Sequence, residues 1–175
     1  MASLSIDMRQ LALLLLPLAL GACTPQAAPP PAPIPAPPPA PPAPVPNGDW
    51  RDWPITEGTW RYLPGTPVSE ARYGEEGAAQ FVLRCDAATR RVTVMRAGSA
   101  TELSIIMSTR TAKLPAGHIQ DRGVAMSGVM LSANDALLDE MVFSRGRFAV
   151  RSPGLSSLAI PAWGEPARAI EDCRK

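Results

Sequence analysis

The chain is short of the residues from which most active sites are made. It holds one histidine, His118, and three cysteines in 175 residues. A histidine-based triad needs a serine or cysteine nucleophile in a defined setting, and no G-x-S-x-G elbow occurs. A zinc centre needs three or four His, Cys or acidic ligands, of which only the acids are plentiful. No glycine-rich phosphate loop is present either, since "GEEGAA" has neither the lysine nor the spacing. Lysine is scarce, with Lys113 and Lys175 alone, and nearly all the cations are arginines. Beyond residue 22 there are 16 Arg and Lys against 15 Asp and Glu. Charge therefore offers no basic surplus for nucleic acid and no acidic block. These shortages lead us to expect neither enzyme, metal site, cofactor nor nucleic-acid partner.

Two lesser features receive plain readings. His118, in "PAGHIQD", reads as a surface residue of a loop between two strands. The acids come as sequence neighbours: Glu75 and Glu76, Asp139 and Glu140, Glu171 and Asp172. Adjacent positions on a helix do not face each other. These acids read as solvated surface; a hydrolase would need two carboxyls about 5–10 Å apart in a cleft.

What the chain does have begins with a leader. One cation, Arg9, precedes an apolar run from Leu11 to Leu20 broken only by Pro17. The run falls short of the ~20 residues of a membrane span and has the form of a secretory signal over residues 1–22. The sequence Leu20-Gly21-Ala22-Cys23 resembles the bacterial lipoprotein box. That resemblance implies that Cys23 receives a diacylglycerol thioether, becomes the new N-terminus and is N-acylated. Two or three acyl chains anchor stably where one does not. Thr24 after the cysteine implies export to the outer membrane, facing the periplasm. From Thr24 to Pro46, 13 of 23 residues are proline, mixed with alanine. Such a segment settles into polyproline II. At about 3.1 Å per residue it reaches roughly 70 Å, a strut between bilayer and cell wall.

Residues 47–175 form the folded domain. With Cys23 lipidated, Cys85 and Cys173 remain as an even pair in an exported domain. One structural disulfide is the expectation; two free thiols are the alternative. Alternation marks strands at "TWRYL", at Gln80–Cys85, Arg91–Met95 and Leu103–Ser108, and at "RFAVR" and "SLAIP". Polar links in "CDAATRRV" and "RAGSATEL" make these a meander of antiparallel hairpins. Two segments break the period. In "SANDALLDEMVFSRG", Leu137, Leu138 and Met141 stand at helical spacing, with caps expected at Ser132 or Asn134 and at Gly146. In "WGEPARAIEDC", Pro166 suits a first helical turn, and Ala169, Ile170 and Cys173 share a face. The fold class expected is mainly β with two short helices (α+β), a small antiparallel sandwich or barrel with the helices near the C-terminus. Trp50 and Trp53 read as a strap over an open end of the core.

The most distinctive stretch is "FSRGRFAVRSPG". A strand from Arg147 puts Arg147, Ala149 and Arg151 on one face, opposite Phe148 and Val150. With Arg145 they are the candidate binding residues, because two guanidinium forks can grip a carboxylate or phosphate bidentately. The alternative is that they pair with Asp139, Glu140 or Glu171.

Three resemblances attach to these residues. "DALLDEMVFSRGRFAVRSPGLSSLAIPAWGEPARAIEDCR" looks like exported lipoproteins of alphaproteobacteria, sphingomonad type, which implies no activity. A lipid-anchored β domain with one disulfide is similar to the C-type lysozyme inhibitors of the bacterial envelope. Their Ser-x-x-x-Tyr-like inhibitory stretch is echoed in "SEARY", Ser69 to Tyr73, here ahead of the central strands. The order of strands and late helices resembles the invasion-associated locus B proteins. The function expected is a non-catalytic envelope module that binds another envelope protein or a cell-wall component such as peptidoglycan. The alternative is an inhibitor of a cell-wall hydrolase.

Overall fold

A computed structural model describes residue 46 and residues 48–175. The leader, Cys23 and the rest of the spacer lie outside the described residues. After a short turn of 3-10 helix at Trp50–Asp52 come eight strands: β1 (Thr59–Leu63), β2 (Val68–Glu75), β3 (Ala78–Asp86), β4 (Arg91–Ala97), β5 (Glu102–Ile106), β6 (Thr111–Pro115), β7 (Gly117–Asp121) and β8 (Val124–Ser132). Helix α1 (Ala136–Val142), strands β9 (Arg147–Arg151) and β10 (Leu158–Pro161), and helix α2 (Gly164–Asp172) complete the order. Two antiparallel sheets, β1-β2-β3-β4-β8-β7 and β10-β9-β5-β6, pack as a sandwich.

The main core follows from alternation. Trp60, Ala71, Tyr73, Phe81, Leu83, Val92 and Val94 point inward from the large sheet toward Ile105, Phe148, Val150 and Ile160 of the small one. Phe81 meets Phe148 across the sandwich with ring centroids 5.4 Å apart, a contact that adds about 1 kcal/mol to the burial itself. The Trp60 indole N–H crosses between the sheets to donate to the Pro161 carbonyl at 2.8 Å. A buried indole left without that acceptor would carry a desolvation cost.

The large sheet also buries part of its other face. Val82, Met95 and Met126 form a second apolar cluster with Ala79, backed by Ile119 and Val124. The β7–β8 hairpin curls over this face, and within it a Cβ at Gly128 of β8 would stand 2.6 Å from the Ile119 side chain of β7. Curling also lets Asp121, at the end of β7, reach Arg72 of β2, although β3, β4 and β8 stand between their strands in the sheet.

Both expected helices form. Ala169, Ile170 and Cys173 are buried together, and Pro166 sits in the first turn of α2. The caps of α1 differ from expectation. Asp135, not Ser132 or Asn134, caps it by accepting from the Leu137 N–H at 2.9 Å, because its carboxylate is the one placed two residues ahead of that donor. Gly146 does not cap the helix, which ends at Val142; it takes a positive φ of 73° in the turn into β9. His118 lies on strand β7 opposite Ser127, and is exposed there. The loop expectation fails because β7 is an outer strand with a single large apolar residue, Ile119, to mark its period. The Cys85–Cys173 disulfide, with Cα atoms 5.5 Å apart, fastens the end of α2 to β3.

Candidate functional site

The arginines singled out by sequence hold a face of their own. Arg147, Ala149 and Arg151 do alternate with Phe148 and Val150, but Ala149 is fully buried. Its cover is the tryptophan strap. Trp53 packs on Ala149 and Ala159, flanked by Trp50 and Ile106. The strap thus lies on the outer face of the small sheet and not over an open end of the core, because that face offers small residues that admit an indole. Arg147 donates to the Trp53 carbonyl at 2.8 Å, and the Arg151 guanidinium stands 4.6 Å over the Trp53 ring. Such a cation–π contact contributes about 0.5–1 kcal/mol at an exposed site. The acids expected as partners are taken elsewhere. Glu140 binds Arg110, and both Asp139 and Glu171 bind Arg174. Arg145 is exposed beside them, with its backbone N–H on the Ser108 hydroxyl.

A second arginine cluster, which sequence reading missed, lies on the face of the large sheet away from the main core. Glu70 and Arg72 of β2, Arg84 of β3, Asp121 of β7 and Arg122 of the β7–β8 turn converge there. Glu70 accepts from Arg72 at 3.0 Å, Arg84 at 2.7 Å and Arg122 at 2.8 Å. Asp121 accepts from Arg72 at 2.7 Å and also from Arg84. The Asp121 side chain is only 1% exposed and that of Glu70 8%. Burial works against ionisation of Asp121, but the hydrogen bonds from Arg72 and Arg84 outweigh it and hold its carboxyl below the usual range. All four oxygens of the two carboxylates accept from these guanidiniums.

Cations exceed anions in this cluster. Three guanidiniums meet two carboxylates, and Arg61 adds a fourth. In the β1–β2 register Arg61 stands directly opposite Arg72, an arrangement of like charges that destabilises a strand pair. No carboxylate among the described residues pairs with Arg61. Arg122 is held at φ +51° as the first residue of the Arg122-Gly123 turn, where such two-residue turns favour asparagine or glycine. The backbone thus accepts a disfavoured residue, and that residue's guanidinium reaches the cluster. Arg61, Arg72 and Arg122, with Leu63, Glu76 and Val124, line a cavity of about 310 Å³.

Arg96 is 3% exposed, and burial pulls its guanidinium down to about 10, still protonated at neutral pH. The "SEARY" stretch lies inside the fold. Tyr73 is fully buried, with its hydroxyl on the Thr56 carbonyl at 2.6 Å, and Ser69 is 2% exposed. Neither side chain stands out as a ready-made surface for a partner. No protein-family model, curated protein or solved structure matches the chain.

Proposed function

We propose that this protein is a lipid-anchored envelope lipoprotein, held through Cys23 at the outer membrane and facing the periplasm. Its β sandwich acts without catalysis as a binding module for a carboxylate or phosphate group of an envelope protein or cell-wall polymer. The observation that carries this reading is the excess of guanidinium at the Arg61–Arg72–Arg122 cavity. Planar forks in a partly closed site suit bidentate recognition of such oxyanions. An entering anion would relieve the Arg61–Arg72 opposition that the chain's own carboxylates leave standing.

The test is calorimetric titration of the full chain with inorganic phosphate and with acetate at low and high salt. Arg61→Gln and Arg122→Gln are each expected to weaken binding about tenfold, or about 1.4 kcal/mol, and added salt to weaken it further. Arg145→Gln, in the turn between α1 and β9, is expected to leave it unchanged. Failure of both anions to bind would remove the reading.

The anchor is tested separately by fractionation. Cys23→Ala is expected to move the protein from the membrane pellet to the soluble fraction, and retention of the variant in the pellet would argue against lipidation.

A further inference from the structure

The arginine cavity also holds an acid that the arginines do not use. Glu76 lines it together with Arg61, Arg72 and Arg122, yet it pairs with no cation among the described residues. Glu70 and Asp121 differ, since guanidiniums take all their oxygens. One cavity thus presents a cation, Arg61, and an anion, Glu76, that are both unpaired among the described residues and do not pair with each other.

The backbone sets Glu76 there. Glu76 and Gly77 are the link between β2 and β3. Just before it a bulge shifts the β2–β3 register between Tyr73 and Gly74. Gly74 stands at φ +131°, so close to β3 that a Cβ on it would lie 2.8 Å from the Ala78 carbonyl oxygen. A bulge bends its strand and re-aims the side chains beyond it, and here the tip of the hairpin carries Glu76 to the wall of the cavity. The same wall includes two half-buried apolar residues, Leu63 of β1 and Val124 of β8.

Every ligand of one sign meets a penalty in this cavity. A plain anion on the arginines faces the Glu76 carboxylate, and a plain cation on Glu76 faces the guanidiniums of Arg61, Arg72 and Arg122. A molecule that carries both charges complements both walls. An amino acid does so, with a carboxylate and an ammonium on a short carbon chain that suits Leu63 and Val124.

We infer that the cavity takes a zwitterionic amino-acid group, its carboxylate on Arg61 and Arg122, its ammonium on Glu76 and its carbon chain against Leu63 and Val124. Glu76 is then the residue that selects amino acids over plain carboxylic acids. This rests on the anion-binding reading of the same cavity and narrows it to one class of ligand.

Titration of the isotope-labelled full chain at low salt, followed by amide chemical shift, compares alanine, 4-aminobutyrate and 6-aminohexanoate with propionate, butyrate and hexanoate, their counterparts without the amine. Saturable shifts at Arg61, Glu76, Gly77 and Val124 are expected, and at least one amino acid should bind about tenfold tighter than its counterpart. In Glu76→Gln that ratio should fall to about one. Glu76 is exposed, so the thermal midpoint of this variant should stay close to that of the parent. Arg61→Gln should weaken the amino acid about tenfold. Equal affinity within every pair in the parent, a preference kept in Glu76→Gln, or full amino-acid affinity in Arg61→Gln would overturn the inference. If plain acids bind as well as amino acids, the anion-binding reading stands and only the choice of ligand falls. If amino acids, plain acids and phosphate all fail to bind, both fall together.

Discussion

Replacing Cys85 and Cys173 together by alanine is expected to lower the thermal midpoint by about 15–20 °C. The bond closes a loop across a sequence separation of 88, and for a loop of that size chain entropy alone accounts for about 4–5 kcal/mol. Its position makes the effect more than local. Cys85 ends the inward-facing row of β3, and Cys173 follows the last turn of α2, both fully buried. Without the bond, α2 rests on Pro166, Ala169 and Ile170 and on the ion pairs of Arg174, and its last turn is free to fray. The double variant is a cleaner probe than reductant, because the buried sulfurs are shielded from small thiols until the fold opens. Calorimetry of parent and variant provides the measurement. Equal midpoints would mean that the bond contributes nothing to stability.

Asp121→Ala is the second large effect, a loss of about 3 kcal/mol and roughly 10 °C in midpoint. Removing one partner of a buried ion pair leaves the other charge uncompensated, at about 3–5 kcal/mol. Here the low end applies, because Glu70 still faces both Arg72 and Arg84. The pH dependence has a definite sign. Asp121 has its folded-state pKa lowered, so its contribution is fully present above the unfolded value near 3.9. It is lost as pH falls through the lower, folded value. The parent should therefore lose stability in strong acid, and Asp121→Asn should flatten that limb while leaving the profile near neutrality level. Urea midpoints at a series of pH values below 5 would show this. Parallel acid limbs in parent and variant would dismiss the role given to Asp121.

The strands that sequence exposed are those whose large apolar residues alternate. β3, β4, β5, β9 and β10 carry a plain two-residue period, and the end helix declared itself through Pro166 and a buried stripe. In β2 and β8 residues of both faces break that period. β2 is buried from Ser69 to Gly74, yet Glu70 and Arg72 read as polar breaks. β8 sends Met126 to the second cluster and packs Val129 and Leu131 on the first, so its apolar residues do not alternate. The arginine cavity was illegible for a related reason. Its ion pairs join residues 37, 49 and 52 positions apart, and a near-neutral total conceals a local surplus. For Arg147 and Arg151 the face was legible, but the strap that occupies it lies 94 positions from Arg147, beyond any local pattern. The turn at Arg122-Gly123 offered the one local signal, an arginine where asparagine is usual.

The strap has a mechanical meaning. Tension applied to the chain ahead of Trp50 enters the described fold at Trp50–Trp53, ahead of every strand. It meets in series the Arg147 grip on the Trp53 carbonyl, then the paired bonds between Thr56 and Ala159, each 2.9 Å long, and only afterwards β1. The first attachments are few and weak, while the β1–β2 ladder behind them is continuous over five residue pairs. The segment works as a fuse. A pull from that end would peel the tryptophans from Ala149 and Ala159 before it reached the ladder that holds Arg61 opposite Arg72.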